Sequence, residues 1–125
     1  MSDVQTTIDA FFAAWGEHDA DAMAAHYLED ATTVIPGSYQ ESSAALRDYF
    51  AERFAGPLKG TRTECETLNV RYLDDDNAIV VSRVGMLFPG ETEVPKDREQ
   101  IGTWTMRRQG DAWKVAAYSN ASAVR

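Results

Sequence analysis

Residues able to do acid/base work at neutral pH are scarce in this chain: it has two histidines and one cysteine beside twenty carboxylates. His26 stands in an otherwise apolar helical stretch, and by residue type an imidazole is the best general base available. The competing role for it is a half-exposed helix residue bonded to nearby backbone. His18 lies in a charged turn and reads as solvent-facing, and Asp30 reads as a brace for the turn before a strand. Near the carboxyl end, Tyr118 and Asn120 offer groups that, with Gln100, can donate and accept hydrogen bonds to a carbonyl or hydroxyl. Gln100 and Asn120 could equally satisfy each other. Cys65 sits in an alternating segment without a local partner and reads as a structural thiol. No metal site is expected, because no H-x-x-x-H or C-x-x-C spacing occurs. No cofactor is expected either. Gly56 and Gly60 follow a helix rather than opening one onto a phosphate, and no serine occupies a G-x-S-x-G elbow.

These groups must be positioned by a small set of elements. Ile8, Phe11, Phe12 and Trp15 recur at helical spacing, predicting a helix from Val4 to Trp15 that stops at Gly16. Asp19 can cap a second helix over Ala20–Leu28 that carries Met23, Tyr27 and Leu28. Ala31–Ile35 is rich in β-branched residues and ends at Pro36-Gly37, which predicts a short strand and a turn. Ser42 or Ser43 can cap a third helix running to Phe54, with Leu46, Tyr49, Phe50 and Phe54 on its apolar side. After Gly60 the period becomes alternating. Strands are predicted over Glu64–Leu73, Ala78–Phe88, Asp97–Arg107 and Ala112–Ala121, joined by polar turns, with an acidic loop from Pro89-Gly90 to about Lys96. Helices first and a curved sheet after them make an α+β domain, a single unit over residues 1–125. A bent antiparallel or mixed sheet wrapped around amphipathic helices forms a cone with an apolar pocket. Phe11, Trp15, Tyr27, Phe50, Phe54 and Trp104 are placed to line that pocket, and Tyr39 to hang over its mouth.

Composition narrows the function classes. A net charge of −8 argues against nucleic acid and against an anionic membrane surface, both of which call for a basic patch. A lone cysteine permits no internal disulfide and fits a reducing, cytoplasmic setting. Met1–Thr7 lacks a basic region followed by an apolar run, so no signal peptide is expected. No apolar stretch approaches the roughly 20 residues a membrane span needs.

The stretch Phe12-Ala13-Ala14-Trp15, the turn with Asp19, Tyr27-Leu28-Glu29-Asp30-Ala31 and Pro36-Gly37 resemble the opening of the nuclear-transport-factor-2-like superfamily. Gly110-Asp111-Ala112-Trp113-Lys114-Val115-Ala116-Ala117-Tyr118-Ser119-Asn120 looks like the last strand of its SnoaL-like branch. Phe54-Ala55-Gly56-Pro57-Leu58-Lys59-Gly60 resembles small proteins of that branch from enediyne biosynthetic clusters. The superfamily includes isomerases, cyclases, epoxide hydrolases, dehydratases and non-catalytic binders, so function must be argued from the site. Matched by segment, the catalytic base of its ketosteroid isomerases falls on Ile35, their tyrosines on Phe11 and Phe50, and their protonated aspartate on Gly102. None of the four can replace those groups. A SnoaL-type aldol cyclase needs an acid/base group where this chain has Ser119 and Asn120. Asp97 and Arg98 resemble two members of an epoxide-hydrolase Asp-Arg-Asp set, but the third is missing.

The same matching turns Ser82, Val84 and Met86 inward on one strand and Gln100, Gly102, Trp104 and Met106 inward on the next. Tyr118 and Asn120 face inward on the last strand. Trp113 and Val115 have the opposite parity yet also read as core, which a bulge would reconcile. Two functions follow. The first is a pocket for a small hydrophobic molecule, a polyketide- or polyene-type intermediate of secondary metabolism, in either a binding protein or a cofactor-independent cyclase- or isomerase-like enzyme, the latter with acid/base work by His26 or polarisation by Gln100, Tyr118 and Asn120. The second is a non-catalytic interaction module using the outer sheet face at Arg71, Arg83, Ile101 and Thr103. The resemblance implies homodimerisation through that face in either case.

Overall fold

The computed structural model describes residues 3–123. The first helix, α1 (Val4–Gly16), starts where the Asp3 carboxylate accepts from the Thr6 amide at 2.9 Å and buries Val4, Ile8, Phe11 and Ala14. Asp19 caps α2 (Ala20–Ala25) through the Ala22 amide, and Ser42 caps α3 (Ser43–Phe54) through the Ala45 amide. Each cap gives an otherwise unpaired amide of the first turn an acceptor. The strands are β1 (Tyr27–Ile35), β2 (Ser38–Gln40), β3 (Arg62–Tyr72), β4 (Asn77–Leu87), β5 (Gln100–Gln109) and β6 (Ala112–Ser122). They form one sheet in the order β2-β1-β6-β5-β4-β3. Every neighbouring pair is antiparallel except β1 and β6, which run parallel. The structure is thus α+β with a mixed, curved sheet around the helices, as the hydrophobic periods predict.

Two boundaries differ from the sequence expectation by three residues or more. The second helix ends at Ala25, and Tyr27 and Leu28 open β1 instead. The cause lies far along the chain: the Val115 amide donates to the His26 carbonyl at 2.9 Å, and Tyr27 pairs with Val115. A sheet partner thus overrides the local helical pattern. The strand expected from Asp97 starts at Gln100, after a 3₁₀ turn over Lys96–Arg98. The reading of Met1–Thr7 as free of a leader rests in part on Met1 and Ser2, which lie outside the described residues.

Parity on β6 switches where the opposed core residues require it. Met106 pairs with Val115 but Thr105 with Ala117, so Ala116 is the extra residue of a bulge. The bulge lets Trp113, Val115 and Tyr118 all be buried on the concave face. At the centre of the core, the fully buried Trp104 meets Phe11 and Phe12 edge-on, with both centroids at 5.7 Å. It lies 4.3 Å from the Tyr118 ring and donates from its indole nitrogen to Ser82 at 2.9 Å. That bond satisfies two buried polar groups at once, which would each carry a desolvation cost if left alone.

Candidate functional site: an aromatic cavity

A cavity of about 260 Å³ lies between α1, α3 and the concave sheet. From α1 come Phe11, Phe12 and Trp15; from α3, Leu46 and Phe50; from β1, Tyr27, Thr33 and Ile35. The sheet beyond supplies Thr63, Val84, Gly85, Met86, Gln100, Trp104, Tyr118 and Asn120, with Pro36 and Arg98 completing the lining. Aromatic pairs stiffen one wall: Trp15 packs on Phe50 at 4.9 Å and its indole nitrogen donates to Thr61 at 3.0 Å. Mostly apolar walls with a few hydrogen-bonding groups are what small-molecule sites present.

Ten residues singled out in the sequence meet here: Phe11, Trp15, Tyr27, Phe50, Val84, Met86, Gln100, Trp104, Tyr118 and Asn120. Four do not line the cavity. Ser82 is buried behind it, occupied by the Trp104 indole. Phe54 packs behind Trp15 and against His18, whose ring stacks on it at 4.8 Å while Nε2 reaches the Thr61 carbonyl. His18 is therefore partly buried rather than solvent-facing. Tyr39 is 63 % exposed and borders an outer groove with Glu29, Asp30 and Glu41. His26 sits at the C-cap of α2 beside Lys114, where burial and then that ammonium hold its imidazole below the usual histidine range.

Thr33 and Thr63 belong to the site without being marked in the sequence pattern, and Arg98, noted there as part of an incomplete Asp-Arg-Asp set, joins them. Alternation back from Ile35 reaches Thr33, which pairs with Gln40 on β2 and is buried. Thr63 lies one residue before the expected start of its strand. Arg98 falls beside a loop. It is tied to Glu91 by bonds of 2.6 and 3.1 Å, donates to the Met86 carbonyl at 2.9 Å, and lies over the Phe88 ring. The pairing holds the Glu91 carboxyl below its ordinary range and raises the guanidinium.

The polar edge of the cavity is built around a missing side chain. Gly102 is opposite Asn120 on the neighbouring strand. A Cβ at position 102 would lie 2.5 Å from the Tyr118 hydroxyl oxygen, so the phenol occupies the space a side chain there would take. Asn120 donates to that oxygen at 3.1 Å. Burial raises the Tyr118 phenol to about 12, against the Asn120 bond, which favours ionisation. Burial likewise pushes the Tyr27 phenol well up, opposed in part by the nearby Thr33 hydroxyl. Both tyrosines are therefore neutral donors at physiological pH. Thr33 Oγ1, Thr63 Oγ1 and Asn120 Oδ1 are buried, and none has a partner within hydrogen-bonding geometry. Among the described residues no carboxylate or imidazole lines the cavity, and no group of three His, Cys, Asp or Glu side chains could hold a metal ion.

The SnoaL-like domain family matches residues 4–124. The chain belongs to that family. No curated protein matches it. Among solved structures, a domain of unknown function with a cystatin-like fold from Nostoc punctiforme superposes with a TM-score of 0.89 at 20 % identity, covering 98 % of this chain and 76 % of that one. An NTF-2 like protein of unknown function from Shewanella oneidensis gives 0.79 at 14 % identity and covers 94 % of both chains. A ketosteroid isomerase-like protein from Erwinia carotovora atroseptica gives 0.75 at 17 % identity, over 98 % of this chain and 95 % of that one. At these identities the likeness is one of fold. Within this SnoaL-like domain the positions matched to isomerase catalytic groups are apolar or bare: Phe11, Ile35 and Phe50 line the cavity, and Gly102 lies under the Tyr118 hydroxyl.

Proposed function

We propose that this SnoaL-like protein is a cytoplasmic binder of a small, mostly apolar molecule, held in the cavity beneath α1 and α3. The observation that carries this reading is the cavity itself: about 260 Å³, aromatic on most sides, with Tyr118, Asn120, Gln100 and two threonines as hydrogen-bonding groups on its wall. A core merely filled by its own side chains would leave no such space. The ligand would be of the polyketide or polyene type, an assignment supported by the resemblance of Phe54–Gly60 to enediyne-cluster proteins. With neither carboxylate nor imidazole among the described residues of the wall, the site's means of acting on a bound molecule are orientation and polarisation. Tyr118, Asn120 and Gln100 would supply them, since His26 lies outside the lining.

Native mass spectrometry of the protein purified from a cell extract tests this. A retained molecule that is lost in Val84→Phe, which fills the cavity from its sheet wall, is the expected result. Thermal melting of the variant controls for folding. Equal retention in both proteins would place the molecule elsewhere and remove the cavity from the argument.

The second reading, an interaction module, is favoured by the convex sheet face. There Arg83 bridges Glu66 at 2.8 Å and Glu99 at 3.3 Å, beside the half-exposed Ile101. We place homodimerisation on that face under both readings.

A further inference from the structure

We propose that the cavity selects an uncharged, roughly bicyclic molecule carrying a hydroxyl group, and rejects its carboxylate counterpart. This rests on the cavity being the ligand site and adds the chemical class. Size comes first. An apolar cavity of roughly 150 Å³ holds benzene, so about 260 Å³ suits two fused six-membered rings better than a long chain or a four-ring skeleton.

Charge comes next. The cationic side chain on the wall, Arg98, is already matched by Glu91 through two bonds, and a further bond ties it to the Met86 carbonyl. Tyr27 and Tyr118 stay protonated. A ligand carboxylate would lose its hydration and find no free counter-charge, a large penalty in an apolar enclosure.

Hydrogen bonding then specifies the hydroxyl. Asn120 Oδ1 is a pure acceptor with no donor, and Thr63 Oγ1 can give or take a bond and does neither, while Thr33 Oγ1 has only the nearby Tyr27 phenol beside it. Thr33 is 3 % exposed, so it cannot look to bulk solvent. The amide oxygen needs a donor; an alcohol or phenol supplies one, whereas a ketone or ether only accepts. A site built around such a bond discriminates against the analogue that lacks it, because its own polar atoms are then left buried and unpaired.

The test uses three probes of similar shape at pH 7, naphthalene, 2-naphthol and 2-naphthoate, titrated by isothermal calorimetry into the full chain. The expected order has 2-naphthol at least about tenfold tighter than both others, one hydrogen bond's worth of affinity or more. Asn120→Leu should narrow the naphthol-to-naphthalene ratio to about threefold or less. Should circular dichroism show that variant unfolded, Thr33→Val replaces it in the same comparison. Equal binding of naphthalene and 2-naphthol overturns the hydroxyl assignment and leaves the apolar cavity reading standing. Tightest binding of 2-naphthoate overturns the uncharged class. Failure of all three to bind removes both this inference and the function it rests on.

Discussion

Tyr118 is the residue on which most of the site's chemistry converges. Its hydroxyl fills the space above Gly102, accepts from Asn120, and keeps its proton to about pH 12. An unfolded tyrosine releases that proton near about 10. In the interval between, the unfolded chain holds fewer protons than the folded one, so stability is full below the lower value and falls as pH rises toward the upper one. The buried Tyr27 acts in the same direction. We expect Tyr118→Phe to flatten this alkaline loss without abolishing it, read as urea midpoints collected across the interval. An unaltered pH slope would mean that the phenol ionises in the fold as freely as in water. At this scale the sequence is informative about residue type and poor about environment. Tyr118, Asn120 and Gln100 are visible in it as hydrogen-bonding groups. That His26 belongs to a helix end beside Lys114 is not, because nothing near position 26 announces its bond to Val115. Arg98 is visible only as part of an incomplete Asp-Arg-Asp set, and its place on the cavity wall is hidden because its partner, Glu91, stands in a loop whose path no period describes.

Among the elements, β6 does the most positioning. Its first half buries Trp113 and Val115, and its second half buries Tyr118, although the two sets differ in parity. Ala116 reconciles them. Deleting Ala116 should turn the bulge into regular pairing in which Trp113, Val115, Tyr118 and Asn120 all still alternate onto the concave face. The expected result is a folded protein that keeps its cavity ligand, checked by calorimetry beside a circular dichroism spectrum. Loss of the ligand from a folded deletion would show that Ala116 is not merely the extra residue but sets the geometry of the second half of β6. The need for a bulge is legible in the sequence, since both sets of residues look like core. The short β2 is not, because three residues ending at Gln40 carry no period. The first turn of β1 is hidden for a different reason: Tyr27 and Leu28 continue the apolar spacing of α2 and are drawn out of the helix by a distant strand.

At the scale of the whole molecule, all three helices lie against one side of the sheet, and the other side carries Arg83, Ile101 and Thr103. If homodimerisation uses that convex face, Ile101→Glu should halve the sedimenting mass and leave cavity binding measurable. A wild-type protein sedimenting as a monomer would remove the proposed contact. The helices-then-sheet order is legible throughout because the switch from helical to alternating period falls cleanly after Gly60. The strand order is less so, since the parallel pairing of β1 with β6 joins segments from opposite ends of the described chain. That pairing also has a kinetic side. The antiparallel run from β3 to β6 closes through local turns, whereas β1 gains its long neighbour only after the last strand has been made. Closing so large a loop is slow, so a chain emerging from the ribosome would show its aromatic helices and β1 well before anything covers them. The meander is then the natural nucleus, and the cavity is the last part of the protein to come into being.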